Sequence, residues 1–178
     1  MSFMPRGPRE ESEGAIWHVF ARGNRQQETF VDDDDRALYL KLLGRTVTWQ
    51  RWLCLAYCLM DNHVHLLLET PQANLGSGVQ RLHGRYAQAF NKRHGRSGHL
   101  FQGRYGSVRV ESDEQLWVTA RYIAMNPVEA GLCATAAARP WSSHAATVGV
   151  CAAPAWLDVG RLRGYFGTWG GRYEEIVR

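Results

Sequence analysis

Between Pro71 and Val110 the chain has neither aspartate nor glutamate. The same stretch holds Arg81, Arg85, Lys92, Arg93, Arg96, Arg104 and Arg109, a formal charge of +7. The whole chain carries +4, so the remainder nets −3. A one-signed block of this length suits a polyanion partner better than a merely solvated face.

Other absences narrow the class. No window approaches the roughly 18 consecutive apolar residues that a membrane-spanning helix needs, so no membrane partner is expected. The opening MSFMPRGPREESEG lacks the apolar segment of a secretory signal and reads as a flexible lead over residues 1–14. Cysteine is scarce, and the spacing of Cys54, Cys58, Cys133 and Cys151 does not resemble a disulfide framework. Cys54 and Cys58 fall in an apolar run and read as buried thiols, so a reducing, cytoplasmic setting is expected. No internal repeat, low-complexity segment or Walker-type phosphate loop is present. With 178 residues and 45% hydrophobic content, the chain has room for one domain with a real core plus small appendages.

What is present reads as alternating strands and helices. Ala15–Ala21 (AIWHVFA) is rich in aromatic and branched residues and predicts a strand. The polar ARGNRQQ follows as a turn. Asp32 to Asp35 stand ahead of ALYLKLLGRTVTW, where four carboxylates suit the positive end of a helix dipole better than a metal site. Trp52–Leu59 and His63–Glu69 predict a hairpin turned at Met60-Asp61-Asn62. A long helix from about Leu75 to Arg93 carries the apolar stripe Leu75, Val79, Leu82, Tyr86 and a second stripe of Arg81, Arg85, Gln88 and Lys92. A fourth strand is expected near Tyr105–Val110. Ser112 with Gln115 then opens another helix in the capping-box pattern. Pro127 is expected to stop that helix near Met125 or Asn126. The order β-α-β-β-α-β-α predicts an α+β fold: a ferredoxin-like antiparallel sheet with helices packed on one face. Residues 15–133 form its domain, and 134–178 read as a C-terminal appendage with a short helix or two.

Within CLMDNHVHLLLET, His63 and His65 stand one residue apart. On a strand such residues point to one face. A bare HxH pair is more often two satisfied polar residues on a solvated sheet. Here apolar residues flank the pair on both sides, so burial of the imidazoles without a partner would be costly. A metal ion or a polar cleft supplies one. In RYIAMNP, Tyr122 and Asn126 are i and i+4, so they share a helix face at the edge of the Leu116, Ala120, Ile123 stripe. Taken alone, Tyr122 reads as an ordinary rim tyrosine. Taken together the pieces converge on one chemistry. A tyrosine hydroxyl, with a pKa of about 10, is a weak nucleophile. A divalent metal that polarises a phosphate diester lowers the barrier for its attack. A basic helix and loop would hold the nucleic-acid backbone.

The blocks NHVHLLLETP, GRYAQAFNKRHGRSGHLFQGRY, RYIAMNPVEAGL and PWSSH, in that order, resemble the signature blocks of the REP-associated tyrosine transposases, of the HUH superfamily. The likeness covers about residues 15–145 and extends to ARGNRQQETF. It implies a metal-dependent single-stranded DNA endonuclease and strand transferase. His63 and His65 match the family's metal ligands, and Tyr122 matches the nucleophile that forms a 5′-phosphotyrosine link and releases a 3′-hydroxyl. Asn126 sits where a third ligand comes from the tyrosine-bearing helix. The implied metal is Mg²⁺ or Mn²⁺, and the implied partner is single-stranded DNA with hairpins of REP type, taken up by a monomer. By analogy, Arg22, Asn24, Arg81, Arg85, Lys92, Arg96 and Arg104 are expected DNA contacts. Phe101 and Tyr105 are expected stacking partners for an exposed base, with core packing as an equal alternative. The chain departs from the family pattern at Asp61, where relatives have proline, and at Glu129, where they commonly have arginine.

Two rival readings remain at this level. One is a non-catalytic hairpin-DNA-binding regulator with the same fold and no use for Tyr122. The other is a zinc hydrolase using His63, His65 and Glu69. Glu69 faces the same side as His65 but would lie about 13 Å away at the strand rise, too far to share a metal.

Overall fold

The structure is a computed structural model and describes residues 11–167 and Tyr173. Most of the lead expected over residues 1–14, and the end of the appendage, lie outside the described residues. Four strands, β1 (Ala15–Arg22), β2 (Leu53–Leu59), β3 (His63–Thr70) and β4 (Gly106–Val110), form one antiparallel sheet in the order β2-β3-β1-β4. Among the described residues it is accompanied by the α-helices α1 (Asp33–Gln50), α2 (Leu75–His94), α3 (Asp113–Glu129), α4 (His144–Thr147) and α5 (Val159–Gly167). The α+β class, the element order through α3 and the antiparallel pairing are as the sequence predicts.

The acidic run caps α1. Asp32 accepts from the backbone N of Asp35 at 3.0 Å. Asp35 is buried and accepts from the backbone N of Val31, from Arg93 and from His94. These contacts tie the start of α1 to the end of α2. Ser112 caps α3 by accepting from the backbone N of Gln115, and the Gln115 side chain returns to accept from the backbone N of Glu111.

The expectation of helices on one face holds for α1 and α2. Tyr39, Leu43 and Val47 meet Val79, Leu82 and Tyr86 over Trp17, Val19, Leu66 and Leu68. The opposite face of the sheet carries a further layer, which corrects the one-sided picture. There Leu55, Ala56, Cys58 and Leu67 pack against Leu116, Ala120 and Ile123 of α3 and against Leu162 and Phe166 of α5. The reason lies in β2 and β3, which are buried along nearly their whole length on both faces.

Pro127 does not stop α3 as expected. The helix runs on to Glu129 with Pro127 inside it and buried. The ring's fixed φ is helical; the cost is the bond that its missing N–H would have given to the Ile123 carbonyl, together with the crowding of the ring against that carbonyl. Packing of the last turn outweighs that loss.

The segment after Ala134 is stitched into the sheet. Leu59 N donates to Trp141 O, and Ser143 N donates to Tyr57 O, both at 2.9 Å. The Ser143 hydroxyl oxygen accepts from Tyr57 N. The PWSSH block thus completes the edge of β2. Among the described residues no helix is long and apolar enough to cross a membrane.

Candidate active site

The face of the sheet toward α3 bears a row of polar and aromatic side chains. The antiparallel register sets Phe20 opposite His65 and Arg22 opposite His63. Leu116, Ala120 and Ile123 seat α3 on this face, which brings Tyr122 over the strands. The Tyr122 ring stands edge-on to His65 with centroids 5.2 Å apart, and to His18 at 5.9 Å. The result is a cleft of about 520 Å³ lined by His18, Phe20, Arg22, His63, His65, Arg104 and Tyr122. Gly106 is required beneath it: a Cβ there would run into the Phe20 ring, which lies across the glycine.

Hydrogen bonds orient the imidazoles. Asn62 gives its amide N–H to the Gln26 carbonyl, so its oxygen faces His63 Nδ1 at 2.7 Å. That contact puts the His63 proton on Nδ1. His63 Nε2 is then a lone pair, and it faces Asn126 Oδ1 at 3.2 Å. Two acceptors so placed are relieved either by turning the Asn126 amide over or by a cation between them. His65 Nδ1 lies 3.0 Å from His18 Nε2. Its other nitrogen, Nε2, is buried with no hydrogen-bond partner among the described residues. Unpaired buried polar atoms of this kind call for an explanation. Two imidazole nitrogens and one carboxamide oxygen are a donor set that fits a divalent cation and leaves positions open. Among the described residues no three His, Cys, Asp or Glu side chains converge in this way.

Electrostatics favour the neutral imidazoles such a set needs. Burial pushes His65 down to about 3, with His18, His63 and Arg22 adding to the effect. Burial lowers His18 to about 4. His63 is lowered too, by burial first, against the Asn126 carboxamide oxygen beside Nε2, which favours the protonated ring. All three therefore present lone pairs at neutral pH, with no proton to displace.

The sequence pattern described as "Transposase IS200 like" matches residues 12–126, well over half of the chain. The chain belongs to this family. Membership makes it a transposase-like DNA-processing protein. The fold agrees with a solved structure of a REP-associated tyrosine transposase bound to a REP hairpin, at a TM-score of 0.71 and 16% identity, covering 85% of this chain and 89% of that one. A second solved structure, a candidate transposase from Deinococcus radiodurans R1, aligns over 66% of this chain and 92% of that one at 20% identity, with a TM-score of 0.46. No curated protein matches the chain.

Within this family frame, the residues singled out from sequence fall into groups. Tyr122, His63, His65, Asn126, Arg22 and Arg104 come together at the cleft. Asn24, Phe101 and Tyr105 line a neighbouring groove of about 900 Å³ between α2 and the 98–105 loop, which shares Arg104 with the cleft. Phe101 is buried there and stacks on His83 at 4.5 Å, the packing alternative of its two expected roles. Arg81, Arg85, Lys92 and Arg96 do not line the cleft. Arg81 lies over the Trp49 ring on the outer side of α1 and α2. Arg96 faces the Phe90 ring at the end of α2.

Asp61, between β2 and β3, is a turn anchor. Its carboxylate accepts from Arg36 at 2.7 Å and from Arg139 at 3.2 Å, and its carbonyl accepts from Thr29 and Phe30. Glu69 is bound at 2.9 to 3.0 Å by Arg161 and by Tyr165, which removes it from the histidines. Sequence reasoning missed His18, Phe20 and Asn62. The signal available was period two: Ile16, His18, Phe20 and Arg22 alternate along β1 onto the face that carries His63 and His65.

Proposed function

We propose that the protein cleaves and rejoins single-stranded DNA at palindromic hairpins, through a covalent bond between Tyr122 and a 5′-phosphate. The observation that carries this reading is the placement of Tyr122 from α3 edge-on to His65, in a cleft where His63 Nε2, His65 Nε2 and Asn126 Oδ1 have unmet capacity to bind a cation. In the reaction the Tyr122 oxygen attacks the scissile phosphorus. The new Oη–P bond replaces the P–O3′ bond and leaves a 3′-hydroxyl. The phenolic proton passes to water, and the departing O3′ takes up a proton from water. The phosphodiester energy is kept in the protein–DNA bond, so attack by a 3′-hydroxyl can reverse the step without ATP. Arg22 and Arg104, which line the cleft, hold the flanking phosphates. His63, His65 and Asn126 would hold Mg²⁺ or Mn²⁺, whose chemistry there is Lewis-acid polarisation of the phosphate. The hairpin as partner is supported by the likeness of fold to a relative whose structure was solved with a REP hairpin.

The test is incubation with hairpin-bearing single-stranded DNA and Mg²⁺ or Mn²⁺, followed by denaturing electrophoresis. A covalent adduct is expected, absent in Tyr122→Phe and after EDTA. An adduct that persists in Tyr122→Phe would sink the nucleophile assignment. Tight hairpin binding with no adduct under either metal would favour a non-catalytic regulator.

A further inference from the structure

The basic stripe of α2 does not face the Tyr122 cleft, and its surroundings show what it does face. Its Arg81 guanidinium carbon lies 3.1 Å above the ring of Trp49, which is 58% exposed near the end of α1. Beside Trp49 is a hollow of about 860 Å³ lined by Lys41, Arg45, Thr48, Trp49, Arg51 and Trp156. Lys41, Arg45 and Arg51 are exposed. Among the described residues no ion pair joins any of these cations, or Arg81 and Arg85, to a carboxylate. The acids of α1 are all at its other end, where Asp32, Asp34 and Asp35 are taken by Arg93 and Asp33 by Arg36. Arg81 is held below the ordinary arginine value, by desolvation first and by the charge of Arg85 second. The fold thus gathers Lys41, Arg45, Arg51 and Arg81 around an exposed indole, with Arg85 near Arg81, and among the described residues no carboxylate is paired with them.

Lys41 and Arg45 are one helical turn apart, about 6 Å along the axis, close to the step between successive phosphates of an extended strand. Exposed aromatic rings set among cations are the recognition chemistry of single strands, whose bases have free faces to stack. We propose that this outer face of α1 and α2 is a second nucleic-acid surface, which holds a single-stranded stretch of the DNA on the side of the sheet away from Tyr122. It rests on the reading of the cleft as the site of strand cleavage. A strand engaged at both places has to pass around the edge of the sheet, so only a long substrate can use both.

Anisotropy titrations with hairpin-bearing single-stranded DNA whose unpaired tail is about eight or about thirty nucleotides long (the short and the long strand), at several salt concentrations, test the proposal. In the triple variant Lys41→Ala/Arg45→Ala/Arg51→Ala, affinity for the long strand should fall at least about tenfold, and its log–log salt slope should flatten by about 2. Formation of the Tyr122 adduct on the short strand should be unchanged. Trp49→Leu should weaken the long strand by about fivefold and leave the slope as it was. Unchanged long-strand affinity and slope in the triple variant would overturn the proposal. An equal loss on a duplex of the same length would overturn the assignment to a single strand. If the wild type forms no adduct with either strand while the triple variant still loses long-strand affinity, the cleavage reading fails and the second surface stands.

Discussion

At the scale of the residue, the site is a problem of where protons sit. His65 can offer Nε2 as a lone pair only if its proton is on Nδ1. The acceptor for that proton is His18 Nε2, at 3.0 Å, and His18 is itself kept neutral by burial, with a pKa of about 4. Asn62 does the same for His63 through its side-chain oxygen. Each imidazole of the HxH pair is therefore set by one neighbour that touches its far nitrogen. Removing such a partner typically costs 10- to 100-fold in metal affinity. His18→Ala is expected to weaken Mn²⁺ binding by about that factor, read by calorimetry on metal-stripped protein. His18→Gln, whose amide oxygen can accept from Nδ1, should recover most of it. Equal affinities in the wild type and His18→Ala would remove His18 from the site.

At the scale of the element, the question is what holds α5 against the sheet. Glu69 is buried at the end of β3 and takes two hydrogen bonds from Arg161 and one from Tyr165, both on α5. Glu69→Gln keeps the shape but removes the charge that makes those bonds strong. Arg161 is half exposed, so solvent offsets part of the loss, and a cost of about 1 kcal/mol is expected from urea unfolding. Limited proteolysis should cut near α5 sooner in this variant. The same scale shows what the sequence could convey. Strand and helix positions were legible because the apolar spacing was regular, as with Leu75, Val79, Leu82 and Tyr86, all fully buried along α2. That His63 shares a face with His65, and Tyr122 with Asn126, was legible because period two and i, i+4 each fix a face; their roles rest on the resemblance of the blocks around them. The side of the sheet on which α3 would pack was harder to read. The clue was that LCLAYCL and LLL do not alternate, as strands covered on one face do. Pro127 misled because the proline rule is local, while the last turn of α3 is held by what it packs against. The Arg81 stripe is a related case: helical spacing says which residues share an edge, not where that edge points once the helix is docked.

At the scale of the whole molecule, the buried histidines make stability depend on pH. Folding holds His65 and His83 at about 3 and His18 at about 4, in each case chiefly through burial, and lowers His63 as well. In the unfolded chain these groups titrate at about 6.5. The unfolded state therefore binds more protons than the folded one between those values. Stability is fully present above pH of about 6.5 and is lost as pH falls toward 4 and then 3. Asp35 and Asp32 push the same way at the acid end, because both are held below the ordinary carboxylate value. His65 and His83 are the most deeply buried of the set, and each should contribute a slope approaching about 1.4 kcal/mol per pH unit within the window. His83 is remote from the cleft: it stacks on Phe101 and meets the Tyr39 hydroxyl at 3.1 Å. Urea unfolding at pH 7, 6 and 5 should show the midpoint falling steadily. His83→Gln should lose stability at pH 7 but show a shallower fall between pH 6 and pH 5. Folded His65 is already neutral between pH 7 and pH 5, so added Mn²⁺ should raise the midpoint by a similar amount at each of these pH values in the wild type and leave it unchanged in His65→Ala. A flat midpoint across this range would mean that the imidazoles are hydrated and not buried as neutral groups.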